Sequence, residues 1–164
     1  MSTPTAVREA KESDRETLLR FHKGLYQGHR DQVVAEEDLP LIAYRDYEQL
    51  LADDLRALLS DGDSHVLVAE SDSEAVGYIT GKVTVEHGRV LPRKGIVEDW
   101  YVMPDARGAG IGAALLHELQ ARFIAAGCDV IESATWTSND GARRVHEALG
   151  FREIRVIYRK KVGG

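Results

Sequence analysis

Cysteine is almost missing from this chain: there is one, Cys128. No internal disulfide can form, and that usage predicts a reducing, cytoplasmic setting. Cys128 reads as a small buried apolar residue at a strand start. Long apolar runs are missing too, so no membrane span is expected, and Met1-Ser2-Thr3-Pro4 shows no signal-peptide pattern. Positive charge is in deficit. Lys and Arg number 21 against 27 Asp and Glu, a formal charge of -6, which argues against nucleic acid and for a cationic partner drawn by the field. The histidines make no His-x-x-x-His pair and cysteines cannot pair, so no metal site is expected. Gly-Lys-Ser/Thr does not occur, which excludes a Walker A loop. Repeats and linkers are absent, apart from a tail, Lys160 to Gly164, expected to fray. The 164 residues, 43% of them hydrophobic, predict a single domain over 1–164 with a sizeable core.

What the chain does have is one dense stretch, Glu98 to Gly112. Apolar residues run in from Ile96 and Val97 and continue through Trp100, Tyr101 and Val102, which predicts a buried strand. Pro104 stops it, having no N–H for a ladder. A glycine-punctuated turn follows (Arg107, Gly108, Ala109, Gly110), and then Ile111, Leu115, Leu116, Leu119 and Phe123 recur at helical spacing. A helix opening from such a turn presents unpaired N–H groups and a positive dipole end. Gly108, Gly110 and Gly112 allow close approach to that backbone, and Arg107 adds charge, so an anion with several oxygens is the ligand this suits. The run Gly108-x-Gly110-x-x-Ala113 formally matches a dinucleotide fingerprint. However, Met103 to Arg107 separate strand from glycines, and Asp129 opens the next strand instead of ending it.

Elsewhere the pattern predicts a strand over 5–10 and a helix from Ser13, boxed by Glu16, with Leu18, Phe21, His22 and Leu25 on one face. Gly24 and Gly28 are expected to loosen or end it before an acidic loop (Asp31, Glu36, Glu37, Asp38). A second amphipathic helix carries Tyr47, Leu50, Leu51, Leu55, Leu58 and Leu59. Strands over 65–70 and 75–86, joined by short polar turns to the central one, predict an antiparallel meander. The helix over 110–126 ends at Gly127, a strand covers 129–136, and a short helix 140–149 stops at Gly150. A last strand is expected over 151–162, with Ile154, Val156 and Tyr158 on one face. The sum is an α/β (α+β) fold, order βααβββαβαβ: a mixed, mostly antiparallel sheet with helices on both faces.

Arg107-Gly108-Ala109-Gly110-Ile111-Gly112 resembles the acetyl-CoA-binding signature of the GNAT-type N-acetyltransferase superfamily. Downstream, Asn139-Asp140-Gly141-Ala142-Arg143-Arg144-Val145-His146-Glu147-Ala148-Leu149-Gly150-Phe151 is similar to a second motif of that family, with His146 where a tyrosine is usual. The resemblance implies a GNAT-like fold, acetyl-CoA as co-substrate without a metal, and an amine acceptor, with dimers common among members and so a homodimer admitted here. The stretch from Val97 to Met103 also looks like diamine acetyltransferases, which favours a small cationic primary amine, polyamine- or aminoglycoside-like. A protein or peptide acetyltransferase and a non-catalytic acetyl-CoA sensor stand as alternatives.

Acetyl transfer needs a neutral amine, a stabilised oxyanion and a protonated leaving thiolate. By resemblance Glu98, nine residues before Arg107, is the base; otherwise it is a strand-end carboxylate. Asp99, pleated to the opposite face, binds a second positive charge on the acceptor or forms a salt bridge within the sheet. The resemblance implies two parallel strands splayed near Tyr101 and Val102, with an N–H there meeting the oxyanion and pantetheine lying in the opening as a pseudo-strand. Asn139 and Ala142 match positions that contact that arm, and Asn139 also suits a helix N-cap. Arg143 or Arg144 touches coenzyme phosphate or stands in solvent. His146 donates to the thiolate or is structural, with solvent the donor. Trp136 and Trp100 are cleft wall or core, and the acceptor site falls roughly between Leu25 and Tyr47.

Overall fold

The computed structural model describes residues 5–163. Five strands and four helices follow one another as β1 (Ala6–Glu9), α1 (Arg15–Gly28), α2 (Tyr47–Ser60), β2 (Ser64–Ser71), β3 (Glu74–Val85), β4 (Arg93–Val102), α3 (Ile111–Ala125), β5 (Val130–Glu132) and α4 (Asp140–Ala148). The strands lie in the order β1-β2-β3-β4-β5. Pairs β1/β2, β2/β3 and β3/β4 are antiparallel and β4/β5 is parallel. The β2-β3-β4 meander arises because its turns are too short for a crossover, while α3 carries the chain back far enough for β5 to lie parallel to β4.

Period-two alternation gives the sheet two apolar faces. Val66, Val68 and Tyr78 pack with Leu18, Phe21 and Leu55 of α1 and α2. Leu67, Ala69 and Ile79 face the other way, onto Ile111, Leu115, Leu116, Leu119 and Phe123 of α3. Helices therefore cover both faces, as the sequence pattern predicts.

Four local expectations are corrected. Ser13 and Glu16 form no capping box: a 3-10 turn over Glu12–Asp14 precedes α1, and Asp14 takes the cap position. Arg8 donates to both Asp14 oxygens at 2.8 and 2.9 Å and holds its carboxyl below the ordinary range. Gly24 does not break α1, which continues to Gly28. Its lack of a side chain instead admits Tyr101, since a Cβ there would lie 3.0 Å from the Tyr101 hydroxyl. The acidic loop is largely ordered, as a π turn (His29–Val33) and a 3-10 turn (Glu36–Leu41). The last correction is the expected final strand. β5 has three residues and pairs with β4 alone, and the segment after Phe151 joins no ladder. A strand needs a partner edge as well as alternation. This segment makes its polar contacts to side chains and loops: Glu153 with Arg143, and Arg159 with the Leu41 carbonyl. Ile154 and Tyr158 are exposed.

Candidate active site

β4 is ten residues long, but β5 pairs only with Lys94, Gly95 and Ile96. From Val97 onward that side of β4 has no strand partner, so the two parallel strands part at the β5 end of the sheet, partway along β4. Orientation of the open edge follows from Met103, whose N–H donates to Val76 on β3 at 2.8 Å. Successive residues of a strand aim their N–H groups to opposite sides, which turns the Val102 N–H into the gap. The Val102 carbonyl, on the same side, accepts from Arg107 Nε at 2.9 Å. Arg107 also lies over the Tyr101 ring, 5.8 Å from its centre, so its charge is fixed where β4 ends.

Beyond Arg107 the backbone turns left-handed twice. Gly108 and Gly110 have φ of 84° and 81°, and a Cβ on either would meet nothing within 4 Å. The space in front of both is open, and Gly110 is the N-cap of α3. Trp100 Nε1 donates to the Gly112 carbonyl at 3.1 Å and ties the first turn of α3 to β4. Ile111 is buried beneath that turn, so it anchors the helix start and leaves the contacts above to backbone. An oxygen-rich anion such as a pyrophosphate fits this cradle of N–H groups, dipole and open space.

Two carboxylates stand beside the open edge. Thr80 pairs with Asp99 but Gly81 with Val97, so Glu98 is the extra residue of a β-bulge. The bulge undoes the simple alternation that would send Glu98 and Asp99 to opposite faces. Glu98 meets Lys82 Nζ at 2.9 Å, while Asp99 accepts from the Thr80 hydroxyl at 3.0 Å and its own N–H donates back to that oxygen at 3.1 Å. Thr80 and Lys82 are two apart on β3, so both carboxylates look toward α1 and α2. Asp99 is enclosed, and burial pushes its carboxyl up against the opposing pull of His22 and Thr80. Sequence spacing had no means of revealing the bulge, or the approach of His22 to Asp99 at 3.7 Å.

A sequence profile of the acetyltransferase (GNAT) family matches residues 25–151. The chain belongs to that family. It is an N-acetyltransferase. The GNAT chain is 35% identical over 112 residues to an aminoglycoside N(6')-acetyltransferase type 1 of Stenotrophomonas maltophilia, across 65% of this chain and 72% of that one. It is 30% identical over 162 residues to a thialysine N-epsilon-acetyltransferase of Bos taurus, across 90% and 84%. In fold it resembles AAC(6')-Iy in complex with the bisubstrate analogue CoA-S-monomethyl-acetylneamine, with TM-score 0.75, 22% identity, and coverage of 98% of this chain and 100% of that one. Among the described residues no group of His, Cys, Asp and Glu could hold a metal, and no helix is long and apolar enough to cross a membrane.

On the far lip of the GNAT split, Asn139 caps α4 by accepting from the Ala142 N–H at 3.1 Å. His146 is held at both nitrogens. A carbonyl can only accept, so Nδ1–H donates to Ala142 at 2.7 Å and the neutral ring's Nε2 accepts from the Ser133 hydroxyl at 2.7 Å. Trp100 and Phe151 meet the ring edge-on at 5.4 and 5.3 Å. Ser133 was missed in the sequence, because nothing in its spacing marks it as the partner of His146. Arg143 is committed to the Thr137 carbonyl and Glu153 at 3.3 and 3.0 Å. Trp136 stands between His29, 6.4 Å away, and Arg159, 5.8 Å from the ring centre. It forms a wall where the end of α1, the 3-10 turn and the C-terminal segment converge.

Proposed function

We propose that the protein transfers acetyl from acetyl-CoA directly to a small cationic primary amine, polyamine- or aminoglycoside-like. The observation that carries this is the bulge that turns Glu98 and Asp99 together beside the unpaired edge of β4. One carboxylate is then available for the proton of the attacking ammonium and the other for a second positive charge. The names of the matched relatives, an aminoglycoside and a thialysine acetyltransferase, agree with an acceptor of that class. In this reading the turn at Arg107 to Gly112 holds the pyrophosphate, the Val102 N–H meets the developing oxyanion, and Asn139 and Ala142 border the pantetheine arm. Trp136 walls the acceptor side.

The test is release of free coenzyme A with a panel of polyamines, aminoglycosides and peptides. Turnover with multiply charged small amines is expected. Turnover confined to peptides would move the acceptor to the peptide class, and silence across the panel would place the acceptor outside small amines and peptides alike.

The departing thiolate needs a proton, and we assign it to Ser133 with His146 behind it. With a proton added at Nε2 the ring turns from acceptor to donor toward the Ser133 oxygen, and the serine hydrogen passes to the thiolate. His146→Phe fills the same slot between Trp100 and Phe151, and kcat should fall by about 10²-fold, the lower end for general acid catalysis. Unchanged kcat would leave His146 a structural bracket.

A further inference from the structure

Helix α1 buries an imidazole, His22, to which the reaction above gives no part. His22 is 5% exposed and lies where α1, α2 and the sheet converge. Its Nε2 is 2.8 Å from Asp54 Oδ2 on α2. Its Nδ1 is 2.7 Å from the Tyr78 hydroxyl on β3 and 3.7 Å from Asp99 Oδ2 on β4. Such a ring is more than filler, because ordinary packing would have placed an apolar side chain beside Leu18 and Phe21.

The partners fix what each nitrogen does. Ionised Asp54 can only accept, so Nε2 carries hydrogen in both charge states of the ring. Nδ1 is therefore the variable position. In the neutral ring it accepts from Tyr78 O–H. In the imidazolium it donates to the Tyr78 oxygen and brings a positive charge to 3.7 Å from Asp99. Tyr78 stays a hydroxyl throughout, since burial pushes its pKa well above the ordinary value.

Asp99 is the group that gains. Its own surroundings oppose ionisation: burial acts first, and the charges of Asp54 and Glu98 push the same way. His22 and the Thr80 hydroxyl act against them. The groups facing this cluster are Asp54 from α2, Tyr78, Thr80 and Lys82 from β3, and Glu98, Asp99 and Tyr101 from β4. Lys82 is already taken by Glu98 at 2.9 Å, which leaves the imidazolium form of His22 as the positive charge that can face Asp99 at 3.7 Å. Asp54, Asp99 and an imidazolium together carry a net charge of one negative, which matches one ammonium group.

We propose that His22, braced by Asp54, is the positioning residue that makes Asp99 a receptor for a second cationic group, so that diamine-like acceptors are selected over monoamines. This rests on the small-amine reading, and deepens it by tying acceptor choice to a couple between the helices and the sheet. Asp54 is half exposed, with 54% of its side chain accessible, so the couple links the acceptor pocket to solvent pH.

Two measurements test it. The first needs no turnover: NMR titration of the His22 imidazole in the whole protein, assigned by the signal lost in His22→Gln. Coupling between two sites is reciprocal. Asp99→Asn and Asp54→Asn should each lower the His22 pKa, by about one pH unit or more for an opposite charge at this range. A titration that does not move in Asp99→Asn overturns the couple.

The second compares KM–pH profiles for a diamine and a monoamine. Without the imidazolium, Asp99 takes up its proton at higher pH. The acid limb for the diamine should therefore move up by about one unit in His22→Gln, a tenfold higher KM below the limb. The monoamine profile should stay in place. His22→Asn should shift the limb in the same direction, and it gives the same answer if His22→Gln fails to fold. Equal shifts for both acceptors, or none, overturn the proposal. Wild-type silence toward every amine would instead sink the small-amine reading, and the NMR titration would still decide whether His22 and Asp99 are coupled.

Discussion

Replacing Glu98 with glutamine is expected to lower kcat/KM for a primary amine by about 10²–10⁴-fold at neutral pH, the range for a positioned general base. An alkyl ammonium with a pKa near ~10.4 is almost wholly protonated at that pH, so attack must wait for the proton to leave. Glutamine keeps the shape of Glu98 and removes its basicity. In the structure the carboxylate is paired with Lys82 at 2.9 Å, but that pairing is no obstacle. The lysine side chain is 45% accessible, and an exposed ion pair is worth only about 0–1 kcal/mol, so the ammonium can swing away at small cost when an acceptor arrives. The sign of the pH effect follows. As pH climbs toward the amine's own pKa the substrate supplies its neutral form unaided, and the gap between variant and wild type should close. It should be widest at low pH. Parallel pH–rate profiles for the two proteins would remove Glu98 as the base.

That prediction depends on a feature sequence reading places only in part. The strand, the Pro104 stop, the glycines and the apolar stripe of α3 are consecutive in the chain, and their physics is local, so the turn that cradles an anion was legible. The existence of the split was legible by family resemblance, while the point where it opens is set by β5, which pairs with β4 over three residues. What stayed hidden depends on a partner strand. The extra residue at Glu98 shows only when β4 is laid against β3, where Thr80 meets Asp99 and Gly81 meets Val97. His22 read as one more residue on a helix face, because its partners Asp54, Tyr78 and Asp99 lie 32, 56 and 77 positions away. The segment after Phe151 failed in the opposite sense: Ile154, Val156 and Tyr158 alternate as a strand should, yet no edge receives them. Alternation reports which faces could be buried, and the ladder decides whether a strand forms.

Gly110→Ala should raise the Kd for coenzyme A by about 10–100-fold, the cost of losing one hydrogen bond to a charged group at about 1.5–3 kcal/mol. Two effects act together and can be separated. At φ of 81° a Cβ is strained by about 1–2 kcal/mol in the left-handed region, which should lower Tm by a few degrees in a domain of this size. The same Cβ would also project into the open space before the first turn of α3, where the phosphate oxygens approach the backbone. Gly150→Ala isolates the first effect, since Gly150 has φ of 89° and equally open surroundings but caps the end of α4. It should lose Tm to a similar degree and keep its affinity for coenzyme A. Calorimetric titration of both variants reads the difference directly. If Gly110→Ala bound coenzyme A as tightly as Gly150→Ala, the backbone at the start of α3 would not be the anion's seat, and the aim of the thioester into the gap at Val102 would have to be set by other groups.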